Sequence, residues 1–220
     1  AIGRSALKVN TTASNNTAVG KSALEDNTSA ANNTAGGMNA LMNATTGGTN
    51  TAVGQGAYGS NTTGTESVAI GYLAGNNGTT QSANVMIGSK AGQGITTGGG
   101  HNICIGYRAG FYGTNLTEGE ENILIGAYTY NEAAGGDNAI VIGYGTHGAG
   151  GYTTFGRDAS DIRTAHGSTS WATVSDERMK KDIVDSTAGL SFVNALRPRT
   201  FKYKNLGELP TTFNAYEEGS

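Results

Sequence analysis

Ser67-Val68-Ala69-Ile70-Gly71-Tyr72-Leu73-Ala74 holds an aliphatic–Gly step whose recurrence decides the fold. The step returns as Ile2-Gly3, Val19-Gly20, Val53-Gly54, Ile87-Gly88, Ile105-Gly106, Ile125-Gly126 and Ile142-Gly143, and Gly36-Gly37 fills the missing register. The second glycines are spaced by 17 residues five times, then by 18, 20 and 17. Other positions keep the same phase. Asn16, Asn33, Asn50, Ser67, Asn84, Asn102 and Asn122 stand four residues before the Gly, and Ala6, Ala23, Ala40, Ala57, Ala74, Ala91 and Ala109 stand three after it. Eight after it come Thr11, Thr28, Thr45, Thr62, Thr79, Thr96 and Thr114. Low-complexity disorder does not hold phase in this way.

Composition agrees. Gly, Thr and Asn make up 86 of the 220 residues, and 36% are hydrophobic. Gly, Thr and Asn are poor helix formers, which argues against a helical bundle. Gly at every third position is absent and there are two prolines, which excludes collagen. A net charge of −3 gives no field for nucleic acid, and no apolar run approaches the ~20 residues of a membrane helix. Neither nucleic acid nor membrane insertion is expected. The single Cys104 permits no internal disulfide. The chain starts Ala-Ile-Gly and reads as an internal piece of a longer polypeptide.

These columns predict an all-β fold, a parallel β-solenoid of about nine 17-residue coils over residues 1–156. Thr, Val and Ile suit short strands, and identical residues would stack on themselves about 4.8 Å apart, giving a rod on the order of 40 Å long. Stacked Asn and Thr would hydrogen-bond along the ladder. The extra residues of the longer spacings are expected in turns at Gly98-Gly99-Gly100 and Glu118-Gly119-Glu120-Glu121. Each coil would offer one Ile or Val and one Ala to an interior too thin to stand alone. A column of small residues suits close approach of several chains, so a homotrimer is expected.

The stretches Ser67–Ala74 and Asn16–Ala23 resemble the repeat of trimeric autotransporter adhesin heads. The resemblance implies a trimeric left-handed β-roll of the kind also found in phage tail fibres. The repeat here is longer than that of the adhesins, which implies a different corner.

Composition changes near residue 157. Of the 31 charged residues, 18 lie in residues 157–220, with both prolines and the only Trp. Residues 157–174 show no clear period and are expected to connect the shaft to a small α+β segment over 175–220. Ser175 suits a helix N-cap, with Asp176 and Glu177 in the first turn. Leu190, Phe192, Val193 and Leu196 suit a second helical face ending near Pro198, and Thr200–Lys204 alternates as a strand.

Ser175-Asp176-Glu177-Arg178-Met179-Lys180-Lys181-Asp182-Ile183 resembles the opening of the self-cleaving intramolecular chaperone of phage tailspikes and endosialidases, and Leu196–Tyr203 its next block. The resemblance implies a domain that assists trimer folding and then removes itself with a serine–lysine dyad, Ser175 as nucleophile and Lys180 as base. A Ser hydroxyl needs such a base, and a desolvated Lys serves as one. Five residues apart on a regular helix the two would be poorly placed to meet. A distorted turn or a Lys from a neighbouring subunit would then be required. The resemblance favours cleavage at Ser175–Asp176, and the sequence alone leaves Val174–Ser175 equally open.

The expected function is a structural phage tail fibre or tailspike segment in the virion. Its partners would be two further copies of itself and a host cell-surface glycan or protein receptor. Its only expected chemistry is a single self-cleavage. A bacterial trimeric surface adhesin is the alternative, and a glycan-degrading tailspike would need a paired Asp/Glu groove that residues 1–156 do not suggest. No cofactor is expected. His101, His147 and His166 lack metal-ligand spacing and read as loop residues. Tyr72, Tyr107, Phe111, Tyr112, Tyr128, Tyr130 and Tyr144 enrich the later coils, where they would stack on sugars or widen the core.

Overall fold

The computed structural model describes residues 1–158 and 160–173. The expected helices after Ser175 and the strand over 200–204 lie outside them. The described chain is a parallel β-solenoid. Its strands are β1 (Thr17–Val19), β2 (Thr34–Gly36), β3 (Thr51–Val53), β4 (Val68–Ile70), β5 (Val85–Ile87), β6 (Ile103–Ile105), β7 (Ile123–Ile125), β8 (Tyr130–Asn131), β9 (Ile140–Tyr144), β10 (His147–Gly148), β11 (Tyr152–Arg157), β12 (Ser160–Ala165) and β13 (Ala172–Thr173). Strands β1 to β7 and then β9 form one continuous parallel stack, each residue facing its counterpart one coil on, and Ile2 bridges Val19 below it.

The stack does not end at residue 156. Strand β11 pairs parallel with β9, then β12 turns back antiparallel on β11 and β13 on β12. The segment read as a connection thus begins by extending the sheet. Two strands, β8 and β10, make a small parallel pair of their own, which takes His147 out of a loop.

The Asn column is a ladder, but its rungs run from side chain to backbone. Asn16 Oδ1 accepts from the Asn33 N–H at 2.8 Å, and Asn33 does the same for Asn50 at 2.8 Å. The series continues through Ser67, Asn84, Asn102 and Asn122 to Ala139. The Nδ2 of Asn33 and Asn50 donates to the carbonyls of Gly47 and Gly64 at 3.0 and 2.8 Å. A buried primary amide is thereby satisfied at both ends, which removes the cost of burying it. The Thr column behaves alike: Thr28 Oγ1 donates to the Thr45 carbonyl at 3.1 Å and Thr62 to that of Thr79 at 2.9 Å.

The repeated Gly has a steric cause. Gly71 has φ +136°, and a Cβ there would stand 2.5 Å from the Gly88 carbonyl oxygen. The coils approach by backbone at this column, so no side chain fits.

Two details differ from the sequence expectation. First, the Ile or Val before the Gly points out of the coil, not in. Along each strand the middle residue is buried and the aliphatic after it is turned outward: Ala18 is 1% exposed and Val19 46%. The interior is lined by both alanine columns, which are therefore not the surface of close approach between chains. Second, the three-residue insertion of the longest coil precedes Glu118. Thr96 N–H donates to the Thr117 carbonyl, so Thr117, not Thr114, continues the Thr column. The insertion falls between Gly110 and Leu116, where Leu116 takes the buried place that Ile95 holds one coil earlier. The extra residue near Gly98–Gly100 falls as expected, since Thr79 and Thr96 remain 17 apart while Asn84 and Asn102 are 18 apart.

Candidate self-association face

The outer surface of the parallel sheet carries the first and third residue of every strand. Near the N-terminus these are Thr17 and Val19, then Thr34 and Gly36, then Thr51 and Val53. From β4 on they are aliphatic at both positions: Val68 and Ile70, Val85 and Ile87, Ile103 and Ile105, Ile123 and Ile125, Ile140 and Ile142. None of these is buried, and Ile2, Val19, Val53, Ile70 and Ile87 are 36–70% exposed. The stripe crosses onto the last strands, because Phe155 pairs with Ile142 and Ile162 with Phe155. Phe155 and Ile162 are exposed as well, and Trp171 stacks against Phe155 at 5.6 Å between centroids.

The cause is local. Adjacent strand residues point to opposite faces. The narrow interior takes the middle residue, Ala in four strands. The flanking residues are then outward whatever their type. Strand propensity alone does not require Ile at both, since Thr serves at the same position in β1 to β3. An aliphatic row along about nine coils, interrupted only at Gly36, spans roughly 40 Å. A soluble chain rarely leaves such a row in water. Sequence alternation contained this signal. It says that Ala18 and Val19 face opposite ways, but not which of them faces inward.

The predicted dyad, Ser175 and Lys180, lies outside the described residues. His147 stacks on Tyr130 at 5.2 Å and its Nε2 lies 3.7 Å from Glu132 Oε1. Arg163 bonds the same carboxylate oxygen at 3.0 Å. Behind this group Asp161 is 3% exposed, and neither of its carboxylate oxygens has a partner among the described residues. Burial pushes its carboxyl above the usual range, against the opposing pull of His147 and Arg163. Among the described residues no group of three His, Cys, Asp or Glu is placed to hold a metal, and no helix is long and apolar enough to cross a membrane.

No curated protein and no solved structure matches the chain. Residues 175–216, however, match the family model of the chaperone of endosialidase. The chain thus joins a parallel β-solenoid of 17-residue coils to a segment similar to that chaperone, an order that fits a tail fibre-like β-roll followed by a chaperone domain.

Proposed function

We propose that three copies of the chain pack through the aliphatic face into the shaft of a phage tail fibre or tailspike that attaches the virion to its host. In this reading residues 1–156 are the coiled shaft, 157–174 a connection whose strands extend its sheet, and 175–220 the start of the chaperone. The single observation that carries it is the outward row from Ile2 to Ile142, continued by Phe155 and Ile162, on a chain that also carries a chaperone match. Full burial of an exposed Val or Ile side chain contributes about 1.5–3 kcal/mol, and each of these partly exposed ones would add a fraction of that along the whole row. Aligning three non-local β chains is slow and exposes strand edges, which is the problem a C-terminal chaperone relieves.

Self-cleavage completes the scheme. Ser175 Oγ attacks a peptide carbonyl beside it while the neutral Lys180 amine takes its proton. The amine of the broken peptide bond leaves carrying that proton, and water hydrolyses the ester. Loss of the chaperone then makes assembly hard to reverse.

Light scattering on the intact chain tests the assembly. A trimer mass is expected, and the double variant Ile87→Asp/Ile105→Asp should fall to a monomer with its strand content kept. A well-folded monomer of the parent overturns the reading. Mass spectrometry of a longer recombinant chain tests the cleavage: a fragment ending at Val174 or Ser175 is expected from the parent and none from Ser175→Ala. An equally intact parent rules cleavage out.

A further inference from the structure

The three-residue insertion builds something the regular coil lacks. It throws Tyr112 outward, 46% exposed, at a bulge that no other coil has. Tyr112 meets Tyr128 edge-on at 4.7 Å, and Tyr128 meets Tyr144 at 5.8 Å and Tyr107 at 5.2 Å. One coil further on, Gly145 occupies the corner where the two preceding coils place Arg108 and Tyr128. It has φ +62°, as those corner residues do at +56° and +60°. The missing side chain makes room for the Asp158 carboxylate, whose Oδ1 a Cβ on Gly145 would strike. Asp158 reaches this place from the turn after β11, held by its N–H on the Tyr144 carbonyl at 2.8 Å. The result is an open cavity of about 330 Å³ lined by Arg108, Tyr112, Tyr128, Tyr144, Gly145 and Asp158. That is the lower end of the usual range for small-ligand sites, roughly 300–1,000 Å³.

The walls define the occupant. The edge-on tyrosine pairs leave ring surface for an apolar C–H face. Arg108 is a donor, and its buried Nε has no partner among the described residues, although its guanidinium lies over the Tyr107 ring at 5.7 Å. Asp158 is an acceptor that pairs with Arg157 at 3.9 Å, both side chains largely in solvent. Burial, and after it the neighbouring phenols of Tyr107 and Tyr144, hold the Tyr128 phenol above its usual range, so it stays a neutral hydroxyl. A ligand must therefore offer an apolar face together with both donors and acceptors. An anion would meet the Asp158 carboxylate, and a purely apolar group would offer nothing to the Arg108 guanidinium or to that carboxylate.

We propose that this cavity is a binding subsite for a neutral hexopyranose. The ring's C–H face would lie on Tyr112 and Tyr144, and its hydroxyls would accept from Arg108 and donate to Asp158. The inference deepens the attachment reading and rests on it for the source of the sugar, a host surface glycan, while the cavity itself belongs to a single chain.

Saturation-transfer NMR on the intact chain tests it, with the methyl glycosides of glucose, galactose and mannose as probes, glucuronic acid as the acidic comparison, and neutral polysaccharides of the same sugars as a surface-like source. Transfer to at least one neutral glycoside is expected, concentrated on one ring face. Polymer binding should be stronger through several subsites on one particle. Tyr112→Ala and Asp158→Asn should each weaken binding at least tenfold. Tyr72→Ala, which removes an equally exposed tyrosine from an earlier coil, should leave it unchanged. Tyr112 sits on an exposed bulge, so its removal should keep the melting temperature close to that of the parent. No transfer to any neutral sugar, transfer to glucuronic acid alone, or unchanged binding by Tyr112→Ala overturns the proposal. A trimer that binds no sugar removes this inference and spares the assembly reading. A monomer that binds removes the assembly reading and spares this one.

Discussion

The coils before and after residue 70 share one backbone and fill it from opposite walls. In the early coils the middle strand position is Ala, at Ala18, Ala35 and Ala52, and the facing corner is Leu, at Leu24 and Leu41. In the late coils the middle position is Met86, Cys104 and then Leu124, and the facing corner is Gly at Gly75, Gly92 and Gly110, giving way to Tyr130 in the coil of Leu124. A Cβ on Gly75 or Gly92 would collide with the Met86 thioether, at 2.6 and 2.7 Å from its sulfur. Tyr58 marks the changeover. Its ring is fully buried, and its hydroxyl donates to the Gln81 carbonyl in the space that Ser67, the one short member of the Asn column, leaves free. Burial pushes the Tyr58 phenol up to about 12, so it remains a donor. The backbone ladder therefore fixes the coil, and the interior needs only a constant total volume, supplied from either side.

The largest expected effect comes from what both halves share. Gly71→Val puts a branched side chain at φ +136° and against the Gly88 carbonyl, so a loss of ~3 kcal/mol or more is expected, read as collapse of the thermal transition. A near-parental melting temperature would show that the coils can separate at this column.

Next come the two fillings. Leu41→Ala and Met86→Ala should each cost about 2–5 kcal/mol in chemical denaturation. The comparison sharpens in Met86→Ala/Gly92→Leu, which moves the late filling to the early wall. Leu24 already tolerates the left-handed corner at φ +51°, and Gly92 stands at +59°. At least half of the Met86→Ala loss should return. No recovery would mean that the two walls are not equivalent.

Asn50→Ala comes third. It strands the Ser67 N–H and takes one of two donors from the Gly64 carbonyl, which Asn61 Nδ2 still reaches at 3.0 Å, at an expected ~2 kcal/mol, more than the loss from Ser67→Ala. Equal losses would place the ladder's strength in its backbone bonds alone.

The smallest effect is a pH dependence at the end of the stack. The folded state holds the Asp161 proton more tightly than the unfolded chain, so it binds more protons as pH rises past the unfolded value. Its contribution to stability is fully present at low pH and falls as pH rises through the raised carboxyl value. Asp161→Asn should raise the melting temperature by a few degrees at neutral pH and by less near pH 4. A shift independent of pH would break this assignment.

Asn33, Gly71 and Thr62 repeat because each bonds or touches its own equivalent one coil away, so their spacing carries the coil, its period and the parallel register. The expectation that Ile and Val fill the interior failed because alternation alone cannot say which face is inside. The insertion was misplaced because Thr114 happens to lie eight residues after Gly106, and only the pairing of Thr96 with Thr117 reveals the true register. The sugar subsite was visible only as an excess of tyrosines, since Tyr112, Tyr144 and Asp158 come from separate parts of the chain.

By itself, then, the sequence determined the repeat, the ladder residues and the change of composition near residue 157, all of which follow from contacts between identical positions at a fixed separation. The tertiary structure decided which side of each strand is core. A coil this narrow admits Ala or one large side chain per layer, and so turns the Val and Ile columns outward. It alone also decided where Tyr112, Gly145 and Asp158 meet, because non-equivalent positions are brought together by the path of the chain and not by its period.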